Sequence, residues 1–136
     1  MIDLAFALLL AAQEPDVNCS NQQTQTEMNI CAGQDFERAD AELNAAYRIA
    51  IAGAQEADRE YARITQGNEM RDSGPGEEAS LREAQRAWVA FRDAHCRLQS
   101  YEARGGSMQP MLVSQCKTYL TELRTEQLRN LSAGPE

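Results

Sequence analysis

The sequence predicts an all-α protein: a small antiparallel bundle of three main helices, a long first helix and then a helical hairpin, stapled by two disulfides. Three observations carry this. Apolar residues recur at helical spacing over most of the chain. Ala, Leu, Gln, Glu and Arg dominate, while only 6% of residues are aromatic. The four cysteines fall in two places where an antiparallel arrangement brings them together. At 136 residues the chain supports one domain with a modest core.

The chain opens "MIDLAFALLLAAQEP". Its apolar run from Leu4 to Ala12 is too short to span a bilayer but suits the h-region of a signal peptide. Residues 1–12 are therefore expected to be a signal peptide, cut after Ala12, and residues 13–136 a single helical domain. Cys19 follows Asp16, Val17 and Asn18, so it has no lipoprotein box. An exported protein with paired cysteines belongs in an oxidising compartment, either periplasmic or secreted.

Phe36, Ala39, Leu43, Ala46, Tyr47, Ala50, Ala54, Ala57, Tyr61 and Ile64 form one helical face, which predicts a first helix over about 25–65. "TQTE" marks its start, with Thr24 as cap and Glu27 reaching back. Gly33 and Gly53 are possible bends. The periodicity is lost over "QGNEMRDSGPGEE", which predicts a linker over 66–79. A second helix is expected to begin near Ser80, presenting Leu81, Ala84, Trp88, Phe91, His95 and Leu98 to its partners. Gly105 and Gly106 end it, because glycine tolerates the left-handed conformation that terminates helices. Ser107 is the expected cap of a third helix, with Pro110 in its first turn and Leu112, Cys116, Leu120, Leu123 and Leu131 along its inner face.

Four cysteines allow three pairings. Cys96 and Cys116 lie at similar distances before and after the Gly105-Gly106 turn, so an antiparallel hairpin sets them at one height. Cys19 is left with Cys31. Were 19–31 a single helix starting at "SNQQ", the pair would be about 18 Å apart and unbridgeable. A start at Thr24 lets the preceding residues fold back, so the bridge itself favours that cap.

"AQRAWVAFRDAHC", residues 84–96, looks reactive because His95 and Cys96 are adjacent. On a helix, however, neighbouring side chains diverge by about 100°. A Cys96 held in a disulfide also has no thiolate to offer. His95 continues the apolar seam and reads as a core or boundary histidine. Zinc is not expected, since the chain has one His and no C-x2-C pair. Arg92 is expected to pair with an acid on the first helix, and Asp93 to support Arg97 one turn on. Gln85, Asp40 and Asn44 are placed for inter-helix hydrogen bonds, and Trp88 for central packing. No phosphate loop is present, because "GGSM" follows a helix. The residues point to no enzyme, no cofactor and no metal.

Charge is unevenly spread. Residues 1–80 carry fifteen acidic and five basic side chains, a net −10, while 81–136 carry six and eight, a net +2. Such a first half repels nucleic acid and anionic lipid and attracts basic proteins.

"EMNICA" at 27–32, "ADAELNAAY" at 39–47, "LREAQRAWVAFRDAHC" at 81–96, then "GGSMQPM" and Cys116, resemble the LprI-like lysozyme-inhibitor domain of exported bacterial proteins. The resemblance covers roughly residues 19–130. Its pattern falls on Met28, Asn29, Cys31, Asp40, Leu43, Asn44, Tyr47, Gln85, Trp88, Arg92, Asp93, Cys96, Gly105, Gly106 and Cys116. It implies a helical, cysteine-bridged envelope protein that binds another protein.

Two functions follow. The first is inhibition of a basic, lysozyme-type muramidase, through the acidic half or through the turn "ARGGSMQPM" at 103–111. Arg104, Gly105, Gly106, Ser107 and Met108 would form the contact. The second is an envelope adaptor without a lysozyme target, using the far end of the first helix around Tyr61 and Ile64.

Overall fold

The computed structural model describes residues 16–66 and 74–133. The expected signal peptide and its cut site lie outside the described residues, as do residues 67–73 of the expected linker. Helix α1 spans Gln25–Thr65, α2 Glu77–Gln99 and α3 Gln109–Ala133, with a 3-10 turn over Ser100–Ala103. No strand occurs among the described residues.

Helix α1 is about 60 Å long at 1.5 Å per residue. Its start follows the expected capping box. The Thr24 hydroxyl accepts the Glu27 amide at 3.2 Å, and the Glu27 carboxylate accepts the Thr24 amide at 3.0 Å and the Gln23 amide at 2.6 Å. Those two backbone bonds hold the Glu27 carboxyl below its ordinary pKa. The helix ends at Gln66, which takes a left-handed conformation with φ 45°. Gly33 and Gly53 both lie inside the continuous helix.

The three helices run up, down and up. Gln25 meets Met111 and Glu42 meets Arg129, so α3 runs parallel to α1. Helix α2 is antiparallel to both, since Asp58 meets Glu77 and Gln85 meets Arg124. Leu43, Ala46, Ala50 and Ala54 of α1 pack with Leu81 and Leu128, and Tyr47, Ile51 and Trp88 close the edge. Alanines on the α1 face let the neighbouring helices approach closely, and Leu43 and Leu128 fill the centre.

Helix α2 begins three residues before Ser80, and the cause is tertiary. The Asp58 carboxylate on α1 accepts the Glu77 amide at 2.7 Å and the Glu78 amide at 3.1 Å, capping α2 from outside. Gly76 makes room for it: a Cβ there would stand 2.7 Å from Asp58 Oδ2.

The buried stripe of α2 also differs from the expected seam. It follows Leu81, Gln85, Arg92 and Cys96 and continues to Ser100, with Trp88 half-buried. Ala84, Phe91, His95 and Leu98 are exposed. On α3 the buried residues are Cys116, Thr121, Thr125 and Leu128. Leu112 and Leu120 are half-buried there, while Leu123 and Leu131 face solvent. The reason is the same in both helices: polar residues that satisfy one another occupy the inner face. Thr125 donates to the Thr121 carbonyl at 2.8 Å, and Thr121 accepts from Arg92 at 3.4 Å.

Candidate functional site

Both disulfides join the expected partners. Cys19–Cys31 has its Cα atoms 5.6 Å apart and Cys96–Cys116 5.4 Å apart. No cysteine is free, so the His95–Cys96 neighbourhood holds no thiol. His95 is not a core histidine; it is exposed and stacks on Phe91 with ring centroids 5.2 Å apart. Among the described residues no group of His, Cys, Asp or Glu could hold a metal ion, and no helix is long and apolar enough to cross a membrane.

At mid-height the three helices meet around Arg92. Its guanidinium lies 5.1 Å from the ring centroids of both Phe36 and Trp88. It donates to Asp40 at 3.2 Å and to Asp93 at 3.0 Å. The expected bond from Arg92 to an acid on the first helix is therefore present. Asp93, however, pairs with Arg92 and with Lys117 at 3.3 Å rather than with Arg97, because it turns toward α3. Burial pushes the Asp93 carboxyl up, but Arg92 and Lys117 outweigh it and hold the pKa below its ordinary value. Gln85 accepts from Arg124 at 3.0 Å across the α2–α3 interface. Asn44 bonds Asp40 one turn earlier on α1, at 3.4 Å, and does not cross to another helix. Tyr47 and Trp88 pack on the core, and Met28 lines an open groove between α1 and α3. This cluster is a brace. Its groups are committed to one another.

The turn between α2 and α3 is a separate structure at one end of the bundle. Gly105 has φ 75°, a left-handed conformation that an L side chain rarely takes. The Gly106 amide donates to Ala103 at 2.9 Å, and the Gly105 amide to the Gln109 side chain at 2.9 Å. Gln109 in turn donates to Ser100, which is fully buried and bonded to the Arg97 carbonyl at 2.7 Å. Ser107 is not the helix cap: α3 begins two residues later at Gln109, and the Leu112 amide takes the Met108 carbonyl at 3.3 Å. The Ser107 carbonyl instead accepts the Asn29 side chain of α1 at 2.9 Å. Arg104 lies over Tyr101, 4.6 Å from the ring centroid. Met108 is half-exposed beside it.

The fold thus brings Asn29 to the turn that holds Arg104, Gly105, Gly106, Ser107 and Met108. It places Asp40, Gln85, Trp88, Arg92 and Asp93 in the brace below. The reading of the sequence missed Ser100, Tyr101 and Gln109, which fix the turn from within. Gln109 could have been found, four residues after a glycine and beside the expected helix start.

The family model described as lysozyme inhibitor LprI matches residues 17–128. The chain belongs to the LprI family. An uncharacterized protein of Rhizobium meliloti (strain 1021) is 44% identical over 138 residues, covering 97% of this chain and 95% of that one. No solved structure matches. The two disulfides and LprI membership are consistent with an exported protein.

Proposed function

We propose that this LprI-family chain is an exported, non-catalytic protein that inhibits a lysozyme-type muramidase by seating the 103–111 turn in the enzyme's cleft. The observation that carries this is the bracing of the turn. A loop fixed by Gly105, by Gln109 and by Asn29 from a second helix pays little ordering entropy on binding. Arg104, held over Tyr101, offers a positioned cation to the carboxylates that such hydrolases carry. Residues 13–80, which remain after the expected cut, carry fourteen acidic and five basic side chains, a net −9 that speeds encounter with a basic enzyme.

The test is cell-wall lysis by lysozymes of several classes in the presence of the purified, disulfide-bonded protein. Protection at stoichiometric ratio, lost in Arg104→Ala or Met108→Asp, is the expected result. No protection at excess and low salt overturns the reading. A second reading, an envelope adaptor, is favoured by Ile64, 61% exposed at the far end of α1. Recovery of one envelope protein by the wild type, lost on Ile64→Glu, would support it.

A further inference from the structure

On the outer face of α2, away from the bundle, lie Ala84, Ala87, Phe91, Ala94 and Leu98, all exposed, followed by Tyr101 in the 3-10 turn. Their spacing alternates between three and four residues, the a/d pattern of a helix that packs along a partner helix. Phe91 and Leu98 are 56% and 65% exposed, which is costly for side chains of that size unless something covers them.

The order of sizes along the seam says what covers it. When two copies of α2 are laid antiparallel about a two-fold axis between residues 92 and 93, Phe91 falls opposite Ala94 of the other copy. Leu98 then falls opposite Ala87, and Tyr101 opposite Ala84. Each large side chain meets a small one, as an isologous interface requires.

We infer that the occupant of this face is a second copy of the chain, forming an antiparallel α2–α2 dimer. The seam is about 26 Å long at 1.5 Å per residue. One helix pair of that length lies toward the small end of stable interfaces, about 1,200 Å² in total, so the dimer is concentration-dependent. The two 103–111 turns project from opposite ends of the pair, which makes the assembly bivalent.

The test is sedimentation velocity of the disulfide-bonded protein over about a hundredfold range of concentration. A monomer–dimer equilibrium is expected. Phe91→Ala and Ala94→Phe should each raise the dissociation constant about tenfold, the first by leaving a hole and the second by opposing two phenylalanines. The double variant F91A/A94F restores one large and one small residue per layer and should return within about threefold of wild type. Circular dichroism of each variant should match wild type, since both positions face solvent in the monomer. A chain monomeric at every concentration overturns the inference. So does a dimer indifferent to Phe91→Glu, or a double variant no tighter than the singles.

Discussion

Arg92 of α2 donates to Asp40 of α1 at 3.2 Å while its guanidinium lies between Phe36 and Trp88, so one cation ties two helices through both charge and packing. The third helix joins through Thr121 and Lys117. Arg92→Ala removes the filling between two aromatic rings and leaves Asp40 and Asp93 without their main partner. A loss of about 3 kcal/mol in urea unfolding is expected. Arg92→Lys keeps the charge but cannot serve several acceptors from one plane, and should lose about half as much.

The same cluster sets a pH dependence. The Asp93 carboxyl is held below its ordinary pKa by Arg92 and Lys117, against the upward push of burial. A carboxylate depressed in the folded state contributes stability above its unfolded pKa, near 4, and loses it as pH falls through the lower folded value. Unfolding midpoints should therefore drop from about pH 5 downward. Asp93→Asn should be less stable than wild type at neutral pH, and the gap should narrow as the solution is acidified. A gap that stays constant with pH would mean that charge is not what Asp93 contributes.

Asp58 caps a helix that follows it by nineteen residues in sequence. Asp58→Ala strips the first amides of α2 of their acceptor and should cost about 1 kcal/mol, read as faster hydrogen exchange at Glu77 and Glu78. Gly76→Ala should cost a similar amount, because its Cβ would displace the Asp58 carboxylate from a position 2.7 Å away. Both changes break one cap, so the double variant should lose little more than either alone.

The elements readable from sequence were those whose causes are local. Thr24 and Glu27 sit three residues apart and make their own capping box, and the Cys96–Cys116 bridge follows from hairpin symmetry about Gly105. The start of α2 was not readable, because Asp58 supplies its cap from another helix. The faces of α2 and α3 were misassigned for a common reason. Periodicity ranks positions by hydropathy, whereas the inner face holds Gln85, Arg92 and Thr121, satisfied by partners on another helix, and Thr125, whose hydroxyl returns to the Thr121 carbonyl one turn earlier. Phe91 and Leu98, which hydropathy assigns to the core, were left outside. Of the candidate site, the glycines of the turn were legible, but the Asn29 bond to Ser107 spans 78 residues and leaves no local trace.

That bond separates rigidity from contact in the proposed function. Asn29→Ala removes the donor to the Ser107 carbonyl without touching any exposed residue of the turn. Gly105→Ala strains the turn from within, at about 1 kcal/mol for a non-glycine residue at φ 75°. If the turn acts as a preorganised wedge, both variants should weaken lysozyme inhibition several-fold while the melting temperature moves only a few degrees. The loss should appear as faster dissociation, since a loosened loop still finds the cleft but holds it less well. Arg104→Ala, by contrast, should weaken binding with the turn still ordered. Full potency in both Asn29→Ala and Gly105→Ala would place the inhibitory contact elsewhere, with the acidic surface of α1 the first region to examine.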